Sequence, residues 1–172
     1  MGTVPSTFKG DSLPVEHVSY NDISEGGSGF LARLKAKGGL EFKLPTEAQW
    51  EYVCRAGDER NSCPDLDGMA WYGGNAGKAP QKVGSKKPNA WGIYDIYGNV
   101  SEWCGDWYVR SLGSEEATDP QGPSRGQDGK RSVRGMNWQD SAKTAYPSRR
   151  NGQRPENADA YTGLRLLCMP PK

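Results

Sequence analysis

The sequence predicts a single α+β domain over residues 1–172, on three observations. Helix-start signals followed by apolar residues at helical spacing occur in the first third. From residue 58 to residue 132 no helical period persists, and short aromatic runs alternate with Gly, Asn, Asp and Pro. The chain has 23 Gly and 12 Pro but also six Trp and eight Tyr. This combination is typical of an aromatic core with short strands and long ordered loops.

The first predicted helix begins near residue 20. Ser19 followed by Asp22 indicates an N-cap with an acid in the first turn. The glycines within 26–29 interrupt the apolar pattern and predict a break, because each interior Gly costs about 1 kcal/mol relative to Ala. Gly38 and Gly39 predict the end of this helical region.

The second predicted helix begins after Thr46. Thr46 and Gln49 match a capping box, and Trp50, Val53 and Cys54 fall on one helix face. Gly57 is the predicted stop. Strands are predicted at 41–44, at 132–134 and at 164–167, and the polar stretch 114–130 is predicted to be a surface excursion.

Composition excludes several function classes. Lys plus Arg is 22 and Asp plus Glu is 21, so the net charge of +1 gives no support for nucleic-acid or membrane-surface binding. No run approaches the roughly 20 apolar residues of a membrane span. The single histidine, His17, excludes a Ser-His-Asp triad and a three-His iron site within this chain. The four cysteines are too scattered for a zinc ribbon.

Several stretches carry a family resemblance. Leu44–Tyr52 is one, and Lys87–Asp95 with Gly98–Trp103 is a second. These motifs resemble those of the formylglycine-generating-enzyme-like domain, also called the sulfatase-modifying-factor family. The opening, from Met1–Thr3 to Pro14–Glu16, resembles the middle of that domain, so we expect the chain to be N-terminally short. Further matches follow in family order: Asp106–Tyr108, Arg134–Gly135, Trp138, Arg150 and Gly163–Arg165.

The resemblance implies a C-type lectin-like fold with two helices, small twisted antiparallel sheets and much ordered loop. Formylglycine-generating enzymes oxidise a substrate cysteine with copper held by two cysteines. The motif register places Asp140 and Ala145 at those positions. Neither residue supplies the thiolate that Cu(I) prefers, so we expect no such oxidase activity and no copper. The related iron-dependent enzymes need a His cluster that His17 alone cannot form, so we also expect no iron.

The resemblance also implies one structural Ca²⁺. Asp95 and Glu102 would supply side-chain oxygens, and Gly98 and Val100 would supply backbone carbonyls, which are ligands that calcium accepts. The alternative is that the two carboxylates are solvated or paired with Lys or Arg. The family's second calcium site is expected to be absent, because the 77–87 loop is too short and lacks its acid.

The cysteines are open to two interpretations. Buried free cysteines are common, and Cys54 and Cys104 fit that pattern. Some family members bridge a cysteine at the Cys54 position to one near the chain end, so the resemblance makes a Cys54–Cys168 disulfide a hypothesis.

Residues 137–162 form a polar and aromatic segment between two predicted strands, and their residue composition is like that of antibody paratopes. An ordinary solvated loop is the alternative, and Trp138 is also a family position that fits a core. The candidate ligand-binding residues are Asn137, Trp138, Asp140, Ser141, Thr144, Tyr146, Asn151, Gly152, Arg154, Asn157, Asp159, Ala160, Tyr161 and Thr162.

A second resemblance sharpens that interpretation. Variable proteins of bacterial and phage diversity-generating retroelements use this fold, with their variable region in the same segment. Mutation of adenines in Asn codons that end in a pyrimidine yields Asp, Ser, Thr, Gly, Ala, Tyr or Arg, and the twelve candidate residues from Asp140 to Thr162 all fit this set. Gln139, Lys143 and Gln153 do not fit and are expected to be fixed or to arise otherwise.

The prediction is therefore a non-catalytic protein that displays residues 137–162, resembling a retroelement variable protein, to a protein or cell-surface ligand. The alternatives are a sulfatase-modifying-factor-like enzyme and an accessory or structural domain of a larger protein. The sequence does not fix a compartment. A cell-surface or virion location would require export by a segment outside this chain.

Overall fold

The computed structural model describes residues 4–114 and 116–169. The opening Met1–Thr3 motif lies outside the described residues. The fold is α+β, as predicted, with four short helices among the described residues and two sheets. The elements are α1 (Tyr20–Ser24), α2 (Phe30–Gly38), β1 (Phe42–Lys43), α3 (Glu47–Arg55), α4 (Leu66–Met69), β2 (Ser101–Trp107), β3 (Arg131–Arg134), β4 (Arg150–Gln153), β5 (Thr162–Leu164) and β6 (Leu167–Cys168).

The helix boundaries follow the local signals. Ser19 and Asp22 form a capping box at α1, and Thr46 and Gln49 form another at α3. The predicted break appears as a 3₁₀ turn over Gly26–Ser28 between α1 and α2. The α3 helix ends one residue earlier than predicted, because Ala56 adopts the left-handed conformation with φ 47°.

The larger sheet has four strands in the order β4-β3-β2-β5. The β2–β3 and β3–β4 pairs are antiparallel, whereas β2 and β5 run parallel. This sheet is therefore mixed, with one parallel pair beside the antiparallel pairs that the resemblance implies. The predicted strand at 164–167 is split, because its first part lies in β5, which pairs with β2, and its last residue lies in β6, which pairs with β1. The second sheet pairs β1 with β6.

The apolar core lies between α3, the loops around it and the main sheet. Trp50 and Cys54 of α3 pack with Ile96, Tyr97 and Cys104 in one buried cluster. A second cluster places Trp103 against the α1 region. The aromatic runs Trp71–Tyr72 and Trp91–Tyr94 lie in the ordered loops of this region.

A buried ionic cluster joins α3 to the strands that flank the candidate segment. The Glu47 carboxylate, 4% exposed, receives two hydrogen bonds from Arg150 at 2.6 and 2.9 Å and one from Arg134 at 3.3 Å. The Ser132 hydroxyl also donates to Glu47. Burial raises the pKa of Glu47. The hydrogen bonds from Arg150 and Ser132 and the charges of the two arginines outweigh burial, so the pKa of Glu47 lies below its ordinary value of 4.5. Because Arg150 begins β4, this cluster fixes the middle of the 137–162 segment.

Candidate functional site

The 137–162 segment begins just after β3, includes β4 and ends at the start of β5. A 3₁₀ turn over Ala142–Thr144 lies within its first loop. Both of its ends and its centre are therefore anchored in the main sheet. This arrangement allows loops with exposed side chains to be held on a rigid support.

An ion pair closes the first loop, residues 137–149. Arg149 donates to both oxygens of Asp140, at 2.6 and 3.1 Å, and the backbone N–H of Asn137 donates to Asp140 at 2.9 Å. The Asp140 and Arg149 side chains are only 20% and 16% exposed. Arg149 also donates to the Thr144 hydroxyl at 3.2 Å. Asp140, Asn137 and Thr144 are thus engaged in holding the loop together.

The same loop is attached to its surroundings through backbone groups. The Gly73 N–H donates to the Asp140 carbonyl at 2.9 Å, and the Cys63 N–H donates to the Ala145 carbonyl at 3.0 Å. A Cβ at Gly73 would lie 2.8 Å from the Gln139 carbonyl oxygen, so the approach requires glycine. Arg134 also donates to the Pro147 carbonyl at 2.9 Å. The loop is therefore fixed from three sides.

Trp138 belongs to the core, which is the alternative that its family position left open, and it does not lie among the exposed candidate residues. It is 7% exposed, and its indole N–H donates to the Ala160 carbonyl at 2.9 Å. Its ring packs against Tyr161, with centroids 5.0 Å apart, and against Phe8 at 5.7 Å. Trp138 thus ties the beginning of the segment to its end, where Ala160 and Tyr161 serve as packing partners.

Three further predicted residues are engaged by neighbouring groups of the fold. Thr162 is 3% exposed within β5, so it too does not lie on the displayed surface. The Asp159 carboxylate accepts from Gln153 at 3.0 Å and from the Tyr161 N–H at 3.0 Å. A Cβ at Gly152 would lie 2.3 Å from the Tyr108 ring. We call these and the other engaged residues the framework residues: Asn137, Trp138, Asp140, Thr144, Gly152, Asp159, Ala160, Tyr161 and Thr162.

Five predicted residues remain exposed. They are distributed over the first loop, β4 and the turn that follows it, and Tyr146 is the large ring among them, 38% exposed. The Arg154 guanidinium lies 3.9 Å from the Glu156 carboxylate, and both side chains are exposed. We call this set the display residues: Ser141, Tyr146, Asn151, Arg154 and Asn157.

Sequence reasoning missed the roles of Gln153 and Arg149. Gln153 links Asp159 to Thr162. Its side-chain NH₂ donates to the Asp159 carboxylate at 3.0 Å, and its side-chain carbonyl accepts from the Thr162 hydroxyl at 3.3 Å. Its departure from the Asn-codon pattern was a signal for a fixed residue. Arg149 carried no such signal, because its pairing with Asp140 depends on the path of the loop.

The four predicted calcium ligands line one cavity of about 370 Å³: Asp95, Gly98, Val100 and Glu102. Burial raises the pKa of Asp95 above its ordinary value, and the charge of Glu102 adds to the rise; the Gly84 hydrogen bond and the charge of Arg165 oppose it. Asp95 makes no ion pair with the described residues. A cation beside Asp95 would offset this cost of burial, so the donor set fits calcium.

Glu102 is already paired in this cavity. Arg165 donates to its two oxygens at 3.0 and 2.8 Å, and the Trp50 indole donates at 2.7 Å. Within 4–114 and 116–169, no three His, Cys, Asp or Glu side chains gather as a metal centre. Any calcium here would therefore depend on Asp95, on backbone carbonyls and on a Glu102 shared with Arg165.

The cysteines occupy other parts of the fold than Asp140 and Ala145. All four are free thiols, so the hypothesised Cys54–Cys168 disulfide is not formed. Cys54 is buried on α3, while Cys168 is exposed on β6. Burial raises the pKa of Cys54 to about 12 and that of Cys63 to about 11. Neither is an activated thiol. Because Asp140 is engaged by Arg149 and Ala145 has no ligating group, these two residues do not fit copper.

The short capped helices, the mixed four-stranded sheet and the long ordered loops define an α+β domain. The chain belongs to the sulfatase-modifying factor enzyme 1-like domain family, whose profile matches residues 2–169. Among the described residues, no helix has the length and apolar character needed to cross a membrane.

Three relatives illustrate the range of this family. The chain is 28% identical to the chaperone protein LppX of Paenibacillus barcinonensis, covering 97% of this chain and 74% of that protein. It is 35% identical to the mouse formylglycine-generating enzyme over 67% of this chain, and spans only 33% of that enzyme. The solved structure of Treponema denticola variable protein 1 superposes with a TM-score of 0.86 at 29% identity, covering 99% of this chain and 79% of that chain.

Proposed function

We propose that this chain is a non-catalytic ligand-binding protein of the retroelement variable type, which presents the display residues to a protein or cell-surface ligand. The observation that carries the proposal is the division of 137–162 into framework and display residues. The framework residues are engaged by ion pairs, hydrogen bonds or packing, whereas the display residues are exposed. A stable support with replaceable exposed side chains is the physical requirement of a diversified receptor.

Two further observations support this proposal. The chain resembles Treponema denticola variable protein 1 over 99% of its length. The resemblance places Asp140 and Ala145 at the family's copper positions, and neither an ion-paired carboxylate nor an alanine supplies the thiolate that Cu(I) prefers. The alternative function is that of an enzyme, because some relatives are named as formylglycine-generating enzymes. Oxidation of a cysteine peptide by the copper-loaded protein would support that alternative.

The proposal is tested by sequencing the last third of the gene across many cells of the source population. We expect substitutions at the display residues, with framework codons constant. Asn151 and Asp159 both fit the Asn-codon pattern, so they give the sharpest comparison. Asn151 is expected to vary and Asp159 to stay fixed. A segment that is invariant throughout the population would contradict active diversification.

We also propose that the cavity lined by Asp95 and Glu102 takes one structural Ca²⁺. Thermal unfolding with 5 mM CaCl₂ and with EGTA tests it, on the wild type and on Asp95→Asn. Calcium is expected to raise the Tm of the wild type and not that of the variant. Asp128→Asn, on an exposed turn elsewhere, is the matched control. An equal shift for the wild type and Asp95→Asn would overturn the assignment.

A further inference from the structure

Much of the wall of the cavity that contains Asp95 and Glu102 comes from two stretches of chain. These are residues 14–15 and several residues of the 94–102 stretch. Its charged lining groups are the two carboxylates and the Arg165 guanidinium, with no other charged side chain among the described residues. The cavity therefore carries one uncompensated negative charge, which favours a cation.

The 94–102 stretch also holds both ends of the candidate segment. The Trp138 N–H, at the beginning of that segment, donates to the Asn99 carbonyl at 2.8 Å. The Ser101 N–H donates to the Tyr161 carbonyl, at the end of the segment, also at 2.8 Å. Asn99 and Ser101 thus lie on either side of Val100, one of the predicted calcium ligands. The cavity and the segment are therefore joined through consecutive residues of the same backbone.

The other wall of the cavity braces the same segment. Two residues after Val15, the His17 N–H donates to the Asp159 carbonyl at 2.8 Å. A Cβ at Gly163 would lie 2.3 Å from the Val15 carbonyl oxygen and 3.1 Å from the Val100 side chain, so the chain after the segment closely approaches both walls. Because close-packed interiors transmit strain, a shift of either wall would displace the end of the segment.

A cation would change the stability of these walls. Asp95 accepts from the Gly84 N–H at 2.7 Å but makes no ion pair with the described residues, whereas Glu102 is paired with Arg165. The Asp95 and Glu102 charges repel each other, and without a cation this repulsion opposes the arrangement of the 94–102 stretch. A divalent cation would replace repulsion with attraction to both carboxylates. It would thereby stabilise the stretch to which the segment is hydrogen-bonded.

We infer that calcium in the Asp95–Glu102 cavity controls the order of the candidate segment, so that ligand binding by the display residues depends on calcium. The inference rests on the proposed function, which gives the display residues their role, and on the calcium assignment. Coupling between two sites is reciprocal, so a ligand of the display residues would also tighten calcium binding.

Amide hydrogen exchange of the whole protein, with 5 mM CaCl₂ and with EGTA, tests this coupling. Calcium is expected to slow exchange of the Trp138 and Ser101 amides at least about fivefold. The Gly105 amide lies on the same strand as Ser101 and donates to the Pro45 carbonyl at 2.9 Å, remote from the cavity lining. It is the internal reference and is expected to slow by less than about twofold.

Two variants identify the cavity as the origin of the effect. Asp95→Asn removes a carboxylate charge from the lining and is expected to abolish the slowing at Trp138 and Ser101. Asp128→Asn removes the same charge from an exposed turn and is the matched control, with the full slowing expected. Calorimetry with CaCl₂ on the same three proteins measures whether the ion binds.

Several results would overturn the inference. They are no calcium binding by the wild type, bound calcium that leaves Trp138 and Ser101 unchanged, equal slowing at Gly105, and an unaltered response in Asp95→Asn. The proposed function fails separately. A candidate segment that is invariant in the source population would refute diversification whatever the exchange rates, and variation in that segment would stand even if calcium had no effect on it.

Discussion

Replacing Asp140 with Ala is expected to loosen the first loop of the candidate segment. The change removes two hydrogen bonds to Arg149 and one from the Asn137 N–H. Exposed ion pairs contribute about 0–1 kcal/mol, whereas removing one partner of a buried pair costs about 3–5 kcal/mol. Because the Asp140 and Arg149 side chains are 20% and 16% exposed, we expect an intermediate loss of about 2 kcal/mol.

Urea and thermal unfolding measure this loss. For a chain of this size, about 2 kcal/mol corresponds to a fall in Tm of about 4–8 °C. Arg149→Ala and the double variant complete a mutant cycle, in which we expect a coupling of about 1 kcal/mol. Lys143→Ala, on the exposed side of the same loop, is the control and is expected to change stability by less than about 0.5 kcal/mol.

Two results would refute the reasoning about this ion pair. One is a loss for Asp140→Ala no larger than that for the Lys143 control. The other is additivity of the two single variants within about 0.3 kcal/mol, which would mean that Asp140 and Arg149 do not act together. Either result would remove Asp140 from the framework residues.

Three further predictions concern single residues. Gly152→Ala is expected to cost about 1–3 kcal/mol in the free energy of unfolding, since its Cβ would meet the Tyr108 ring at 2.3 Å; an unchanged Tm would contradict that contact. The folded-state pKa of Glu47 lies below 4.5, so its stabilisation is present above that pH and is lost as the pH falls below it. The stability gap between wild type and Glu47→Gln, from urea unfolding at pH 6 and pH 3.5, should therefore narrow at pH 3.5, and a constant gap would contradict this assignment. Iodoacetamide at pH 8 should alkylate Cys168 at least tenfold faster than Cys54, whose pKa is raised to about 12. Mass spectrometry of the native protein measures both alkylation rates, and equal rates or a disulfide between the two cysteines would refute this prediction.

Local signals in the sequence accounted for the helices because capping is a short-range interaction. The Ser19 and Thr46 capping boxes each involve residues three apart, and both helices begin where those residues predict. The parallel pairing of β2 with β5 depends on residues about 60 positions apart, and no local pattern encodes it. Trp71 and Trp91 lie in aromatic runs that fitted either short strands or ordered loops, and loop hydrogen bonds hold that part of the chain.

In the candidate site, too, local features could be predicted and contacts between distant residues could not. Composition indicated the extent of the 137–162 segment, and residue type alone selected fourteen positions within it. It could not distinguish Asn157, which is exposed, from Thr162, which is buried in β5. That distinction depends on which residues meet across the fold, as when Trp138 reaches Ala160. Gln139, Lys143 and Gln153 all departed from the Asn-codon pattern, but only Gln153 is partly buried and links other residues of the segment.

Two randomised libraries displayed on yeast test the central claim most directly. The first varies the five display residues, and the second varies five framework residues: Asp140, Gly152, Asp159, Ala160 and Thr162. Folded display is measured with a conformation-sensitive protease, and both libraries are selected for binding to hen lysozyme. The account predicts that most members of the first library fold and that it yields binders, while most of the second are cleaved. Comparable folding of the two libraries, or a folded first library that yields no binder, would contradict it.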